Sequence, residues 1–154
     1  MRVLFVCLGN ICRSPTAEGV LRHKLLQAGL AEQVEVASAS TSDWHVGKPP
    51  DARSQRAALA RGYDLSAQRG QQACREDFAR YDLILAMDQS NLRNLKALQP
   101  AGAKAELDLF LRRYEGVVDE VPDPYYDGDQ GFEQVLDLIE QACDRLVIEL
   151  KGRL

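Results

Sequence analysis

Hydrophobic and polar positions alternate along this chain in blocks that change period several times. Val3, Leu4, Phe5 and Val6 form an unbroken apolar run, rich in β-branched and aromatic residues, as expected of a strand buried on both faces. A short polar loop follows. From Pro15 onward Ala17, Val20, Leu21, Leu25 and Leu26 recur with charges between them, which predicts an amphipathic helix closed at Gly29, with Ser14 as a plausible N-cap. Val34 to Ser40 reads as a second strand, and Tyr81 to Met87 as a third. Leu107, Leu109 and Leu111 alternate with Glu106, Asp108 and Phe110, the pattern of a half-exposed edge strand. Between these, Asp51 suits the N-cap of a helix that closes at Gly62, and residues 66–80 predict a short helix plus a connection. Ser90 or Asn91 opens a helix through Leu92, Leu95 and Leu98. Phe132, Val135, Leu136, Ile139, Ala142, Cys143, Leu146 and Leu150 share one face of a long final helix.

Four strands alternating with helices imply a three-layer α/β/α architecture, with a central four-stranded parallel sheet and right-handed crossovers. Ligands of such sheets sit beyond the C-terminal strand edges. Cys7 ends the first strand, Trp44 follows the second, and Asp123 lies in a long loop, roughly 113–131, after the fourth. Topology therefore brings three candidates to one edge. A length of 154 residues suits a single domain, 1–154, with a substantial core. The net charge of −4 argues against general nucleic-acid binding. No apolar run reaches membrane-spanning length, and the N-terminus lacks a signal-peptide pattern, so a cytoplasmic protein is expected. Cys7, Cys12, Cys74 and Cys143 are irregularly spaced, and neither His23 nor His45 pairs with a cysteine at zinc-site spacing; no metal or other cofactor is expected.

The chemistry concentrates between Cys7 and Pro15. Gly9 and Asn10 admit backbone conformations that other residues resist. A strand, a tight loop and a helix start aim backbone N–H groups at one point, with the positive end of the helix dipole behind them, which makes an anion site. A thiol at its base is favoured as thiolate, and Arg13 can grip a tetrahedral oxyanion through two parallel N–H bonds. Such a thiolate is placed for in-line attack on phosphorus. Cys7 alone would more often be a small buried hydrophobe, Arg13 a solvated cation and Asp123 a turn residue before Pro124.

Cys7-x5-Arg13 followed by Ser14 resembles the loop of cysteine-dependent phosphatases. Its N-terminal position, together with Asp123, Pro124, Tyr125 and Tyr126, resembles the low-molecular-weight protein tyrosine phosphatases over nearly the whole chain. That resemblance implies a phosphatase-I-like, Rossmann-like fold and a specific division of labour. Cys7 would be the nucleophile that forms a phosphocysteine, Arg13 the transition-state anchor, and Asp123 the general acid and base. Leu8, Gly9, Asn10, Ile11, Cys12, Arg13 and Ser14 would bind phosphate. Trp44, Tyr125 and Tyr126 would wall a slot for phosphotyrosine, and Cys12 would protect oxidised Cys7 as a reversible disulfide. Ser14 could be a plain cap or steady the thiolate, and the residues alone do not choose. In the family Asn10 is often braced by a histidine, where this chain has Gln68. Asp51, Arg53 and Asp88 match family positions read as structural, Cys74 and Cys143 as inert. The implied partners are phosphotyrosine-containing proteins or peptides, with phosphate as product and inhibitor, and a monomer or weak homodimer. Two rival readings share the loop: a thioredoxin-coupled arsenate reductase, disfavoured because Cys74 stands alone before the third strand, and a non-catalytic phosphotyrosine-binding module.

Overall fold

The computed structural model describes residues 1–154. Its strands are β1 (Arg2–Cys7), β2 (Glu35–Ser40), β3 (Leu83–Ala86) and β4 (Glu106–Leu109), all parallel and in the order β2-β1-β3-β4. Its helices are α1 (Arg13–Gln27), α2 (Ala52–Ala60), α3 (Asp77–Arg80), α4 (Gln89–Leu98), α5 (Phe110–Arg113) and α6 (Asp129–Arg153). β1 is central, which explains its unbroken apolar run. Val3, Phe5 and Cys7 point into a large core shared with α1 and α6, whereas Leu4 and Val6 point into a smaller one with Phe78, Leu92 and Leu95. Helices thus cover both faces, in the three layers expected. Phe5 is fully buried with its ring edge-on to Phe110, 5.1 Å between centroids. Truncating a phenylalanine so placed costs about 3–5 kcal/mol.

Four local expectations are corrected. β4 stops at Leu109, because Phe110 and Leu111 are both fully buried and neighbouring strand residues would face opposite ways; the chain turns into α5 and buries both. α4 starts earlier than Ser90, since Asp88 Oδ1 accepts from the N–H of Asn91 at 2.8 Å and caps it. α1 starts at Arg13, before Pro15. Ser14 therefore lies inside the first turn and makes no cap bond; Cys12 holds the N-cap position. α6 starts at Asp129, ahead of its apolar face. Asp51 caps α2 as expected, accepting from Arg53 N at 2.8 Å, and Gly62 beyond its end has φ of 93°. No helix is long and apolar enough to cross a membrane.

The C-terminal sheet edge gathers the connections. The loop after β1 runs into α1. Val121 N donates to the carbonyl of Met87, just past β3, at 2.8 Å, and this tethers the segment between α5 and α6 to the same edge.

Candidate active site

A cavity of about 200 Å³ opens at that edge. Its floor is Cys7, Leu8, Gly9, Ile11, Cys12 and Arg13, and its walls are Trp44, His45, Asp123, Tyr125 and Tyr126. The N–H groups of Leu8, Gly9, Ile11 and Cys12 donate to no backbone carbonyl, so the loop presents several donors to whatever the cavity holds.

Asn10 explains how the loop keeps this shape. Its φ is 58°, in the left-handed region that asparagine tolerates better than most residues. Its backbone N–H donates to Cys7 Sγ at 3.2 Å. Its side-chain amide donates to Ser14 Oγ at 2.8 Å and to Ser38 Oγ at 2.9 Å, while its Oδ1 accepts from Gln71 N at 3.1 Å. Every polar atom of the amide is thereby committed, which fixes its orientation. Ser14 Oγ, having accepted from Asn10, can give its one proton to Cys7 Sγ at 3.0 Å or to the Ala39 carbonyl at 3.3 Å. A thiolate, being charged and nearer, takes it. Asn10 and Ser14 thus lie behind the cavity rather than in its lining, and act on the sulfur.

The chain of bonds continues inward. Ser38 Oγ donates to Glu18 Oε1 at 2.7 Å, and Arg22 pairs with the other Glu18 oxygen at 2.9 Å. Burial pushes the Glu18 carboxyl above its ordinary range, against the opposing influence of Ser38 and Arg22. Gln68 makes no hydrogen bond to Asn10, and meets it only through Ser38 Oγ, 3.5 Å from Gln68 Oε1. Its Nε2 donates to the Pro15 carbonyl at 3.0 Å, and the brace comes from the Gln71 backbone instead.

Arg13 is buried and held from two sides. Its Nη1 donates to Asp88 Oδ2 at 2.7 Å and to the Val121 carbonyl at 3.1 Å; its Nη2 lies 3.6 Å from Asp123 Oδ2. Burial alone would lower the guanidinium's affinity for its proton, but the charges of Cys7, Asp88 and Asp123 outweigh that and raise it. A cation fixed by one carboxylate, with its other edge aimed at the cavity, suits oxyanion binding. Asp88 thus joins two tasks, capping α4 and aiming Arg13, of which only a structural one was legible.

Asp123 Oδ1 accepts from Tyr125 N at 3.1 Å, an Asx-type turn that orients the carboxyl. Tyr125 and Tyr126 meet edge to face at 5.0 Å, and the Arg53 guanidinium stacks on Tyr125 at 5.2 Å and on Phe132 at 4.9 Å. Arg53 is itself paired with Asp51 at 3.0 Å, so a helix cap and a cavity wall share one ion pair. Cys12 is buried, and that burial pushes its thiol up to about 12. Cys74 and Cys143 lie outside the cavity, and burial raises both thiols. His45 was missed by sequence reasoning. It stands next to Trp44 in a loop of ordinary composition, and only the fold shows its ring packed over Gly9.

The family model described as low molecular weight phosphotyrosine protein phosphatase matches residues 2–153. A putative low molecular weight protein-tyrosine-phosphatase of Synechocystis is 49% identical over 152 residues, covering 97% of this chain and 96% of that protein. The human low molecular weight phosphotyrosine protein phosphatase is 43% identical over 144 residues, covering 92% and 90%. The crystal structure of a protein tyrosine phosphatase from Entamoeba histolytica, with Hepes in its active site, superposes with a TM-score of 0.93 at 38% identity, covering 100% of this chain and 99% of that one.

Proposed function

The chain belongs to the low molecular weight phosphotyrosine protein phosphatase family of hydrolases, and we propose that it removes the phosphoryl group of phosphotyrosine through a phosphocysteine at Cys7. The observation that carries this reading is the meeting of Cys7 and Arg13, at the two ends of one loop, with Asp123, from a distant segment of the chain, in one cavity. The thiolate of Cys7 attacks phosphorus, forming the S–P bond as the P–O bond to the ring breaks. Protonated Asp123 gives its proton to the departing phenol oxygen. Water then attacks the phosphocysteine, loses a proton to the Asp123 carboxylate, and the S–P bond breaks, returning the thiolate and releasing inorganic phosphate. In both steps charge builds on the non-bridging oxygens. The loop N–H groups and Arg13 meet that charge without rearranging, which is where most of the rate gain arises. Such gains must be large, because uncatalysed monoester hydrolysis is among the slowest reactions known.

Trp44, Tyr125 and Tyr126 give the slot its preference for a phosphorylated aromatic ring, with stacking worth about 0.5–1.5 kcal/mol per ring pair. Substrates are phosphotyrosine-bearing proteins or peptides; phosphate, the product, competes for the loop. Residues 1–154 work as one phosphatase domain, as a monomer or a weak homodimer. A cytoplasmic setting keeps Cys7 reduced. Cys12, adjoining the same cavity, is the partner we assign for reversible capture of an oxidised Cys7. Arsenate reduction is not supported, since neither Cys74 nor Cys143 reaches the cavity.

The reading is tested with p-nitrophenyl phosphate under reducing conditions with EDTA present. We expect hydrolysis by the wild type, none by Cys7→Ser, and a kcat lowered about 10²-fold or more in Asp123→Ala. An inactive wild type, or an active Cys7→Ser, would overturn it.

A further inference from the structure

The wall that carries Trp44 is held by a contact that no catalytic role explains. Residues 45–48 form a turn in which Lys48 N donates to the His45 carbonyl at 3.0 Å, with φ of 81° at Gly47, as the third position of a type II turn requires. Gly70 clamps this turn with two backbone hydrogen bonds, donating to Lys48 O and accepting from Gly47 N, both at 2.8 Å. A β-carbon at Gly70 would overlap the His45 carbonyl itself, which is backbone and cannot rotate aside. On the cavity side, the His45 ring leans on the phosphate loop, with its Cδ2 3.1 Å from where a β-carbon of Gly9 would stand.

Gly70 belongs to a strap, the segment between α2 and α3, and the next residue of that strap serves the other half of the site. Gln71 N donates to Asn10 Oδ1 at 3.1 Å, and Gln71 O accepts from Ser40 N at 2.8 Å, which fastens the strap to the end of β2. Two neighbouring residues therefore hold two different things: Gln71 the phosphate loop, Gly70 the aromatic wall.

We propose that Gly70 is a positioning residue for substrate recognition: its missing side chain lets the 45–48 turn close on the strap and sets how near Trp44 and His45 stand to the bound ring. This rests on the phosphatase reading for its functional consequence, but its structural part stands alone. Any side chain at position 70 pushes the turn outward and widens the slot, leaving Cys7, Arg13 and Asp123 where they are.

Trp44 is the chain's single tryptophan, so its emission reports the position of this wall directly. In Gly70→Ala we expect a shifted Trp44 emission in the free protein. KM for p-nitrophenyl phosphate should rise about two- to tenfold, the range of a lost aromatic contact, with kcat held within about twofold. The inhibition constant of inorganic phosphate, which needs only the loop, should also stay within about twofold. Gly47→Ala strains the same turn from the other side of the clamp, where a β-carbon meets open space. It carries the same expectations and decides the matter if Gly70→Ala does not fold. Unchanged emission and KM would overturn the proposal. So would a parallel fall of kcat and phosphate affinity, which would make Gly70 a support of the whole site. If the wild type hydrolyses nothing, the phosphatase reading fails, and the emission of the two variants still decides whether Gly70 sets the wall.

Discussion

The floor and the walls of the cavity are built on opposite terms. At the floor, Cys7, Cys12 and Arg13 are buried, as are Asn10 and Ser14 behind them, and a continuous line of hydrogen bonds runs from Cys7 Sγ through Ser14, Asn10 and Ser38 to Glu18. At the mouth, Tyr126 is 94% exposed and Trp44 66%, and the Asp123 side chain is 46% exposed, oriented by one hydrogen bond from Tyr125 N and by Arg13. The difference follows from what each part must do. Donors that stabilise a transition state gain their advantage by being in place beforehand, in surroundings that exclude water. A mouth that receives a ring on a protein surface needs open, aromatic walls and an acid that can approach the leaving oxygen from solvent. Floor variants should therefore lower kcat for every substrate, whereas wall variants should alter KM in a way that depends on the ring.

The sharpest break would come at Arg13. Arg13→Lys keeps a positive charge near Asp88 but loses the planar fork, and kcat should fall about 10²–10³-fold for p-nitrophenyl phosphate and phosphotyrosine alike. Steady-state kinetics with both substrates checks this; a loss confined to one of them would blur the division between floor and wall. Next comes Asn10→Ala, which leaves Ser14 and Ser38 without a shared donor and places alanine at a positive φ. Its kcat should drop about tenfold or more, because Ser14 no longer has its proton directed at the sulfur. Tyr126→Ala should leave kcat near the wild-type value and raise KM for phosphotyrosine about two- to tenfold. An equal change with a non-aromatic phosphate ester would contradict its role as a wall.

The smallest effect is one of stability. Glu18, at the inner end of the floor's hydrogen-bond line, has its carboxyl raised by burial. An acid raised in the folded state contributes stability that is whole below its unfolded pKa and is lost as pH rises through the folded one. Glu18→Gln does not titrate, so the difference in Tm, variant minus wild type, should be more positive at about pH 7 than at about pH 4. Thermal melts at the two pH values check the sign.

Much of the fold was legible because β1 is buried on both faces and says so in four consecutive apolar residues, and because α6 buries the apolar face its period predicts; α1 is less regular, with Leu26 exposed and Glu18 buried. What escaped was decided by tertiary packing. Phe110 and Leu111 continue a strand-like alternation, yet the core takes both of them into one cluster. Ser14 is a good cap by type, and whether it caps or reaches a sulfur depends on where the preceding strand ends. Cys7, Arg13 and Asp123 were readable as a motif. Their supports were not. The brace on Asn10 is a backbone N–H of Gln71, which any residue but proline would supply, so the eye falls on the side chain of Gln68 instead. Asp88 reads only as a structural residue ahead of a helix opened by Ser90 or Asn91; that it caps α4 through one oxygen and holds Arg13 through the other appears only once β1 and β3 lie side by side. Gly70 matters for an atom it lacks.

The central claim is that phosphate passes through Cys7, and it is tested most directly by trapping it there. Asp123→Ala should slow breakdown of the intermediate, so a sample mixed with p-nitrophenyl phosphate and quenched in acid should carry one added phosphoryl group. Mass spectrometry of the digested protein should locate that group on the peptide containing Cys7, and Cys7→Ser should show none. A turning-over enzyme with no phosphorylated Cys7 peptide, or with the group on another residue, would contradict the account.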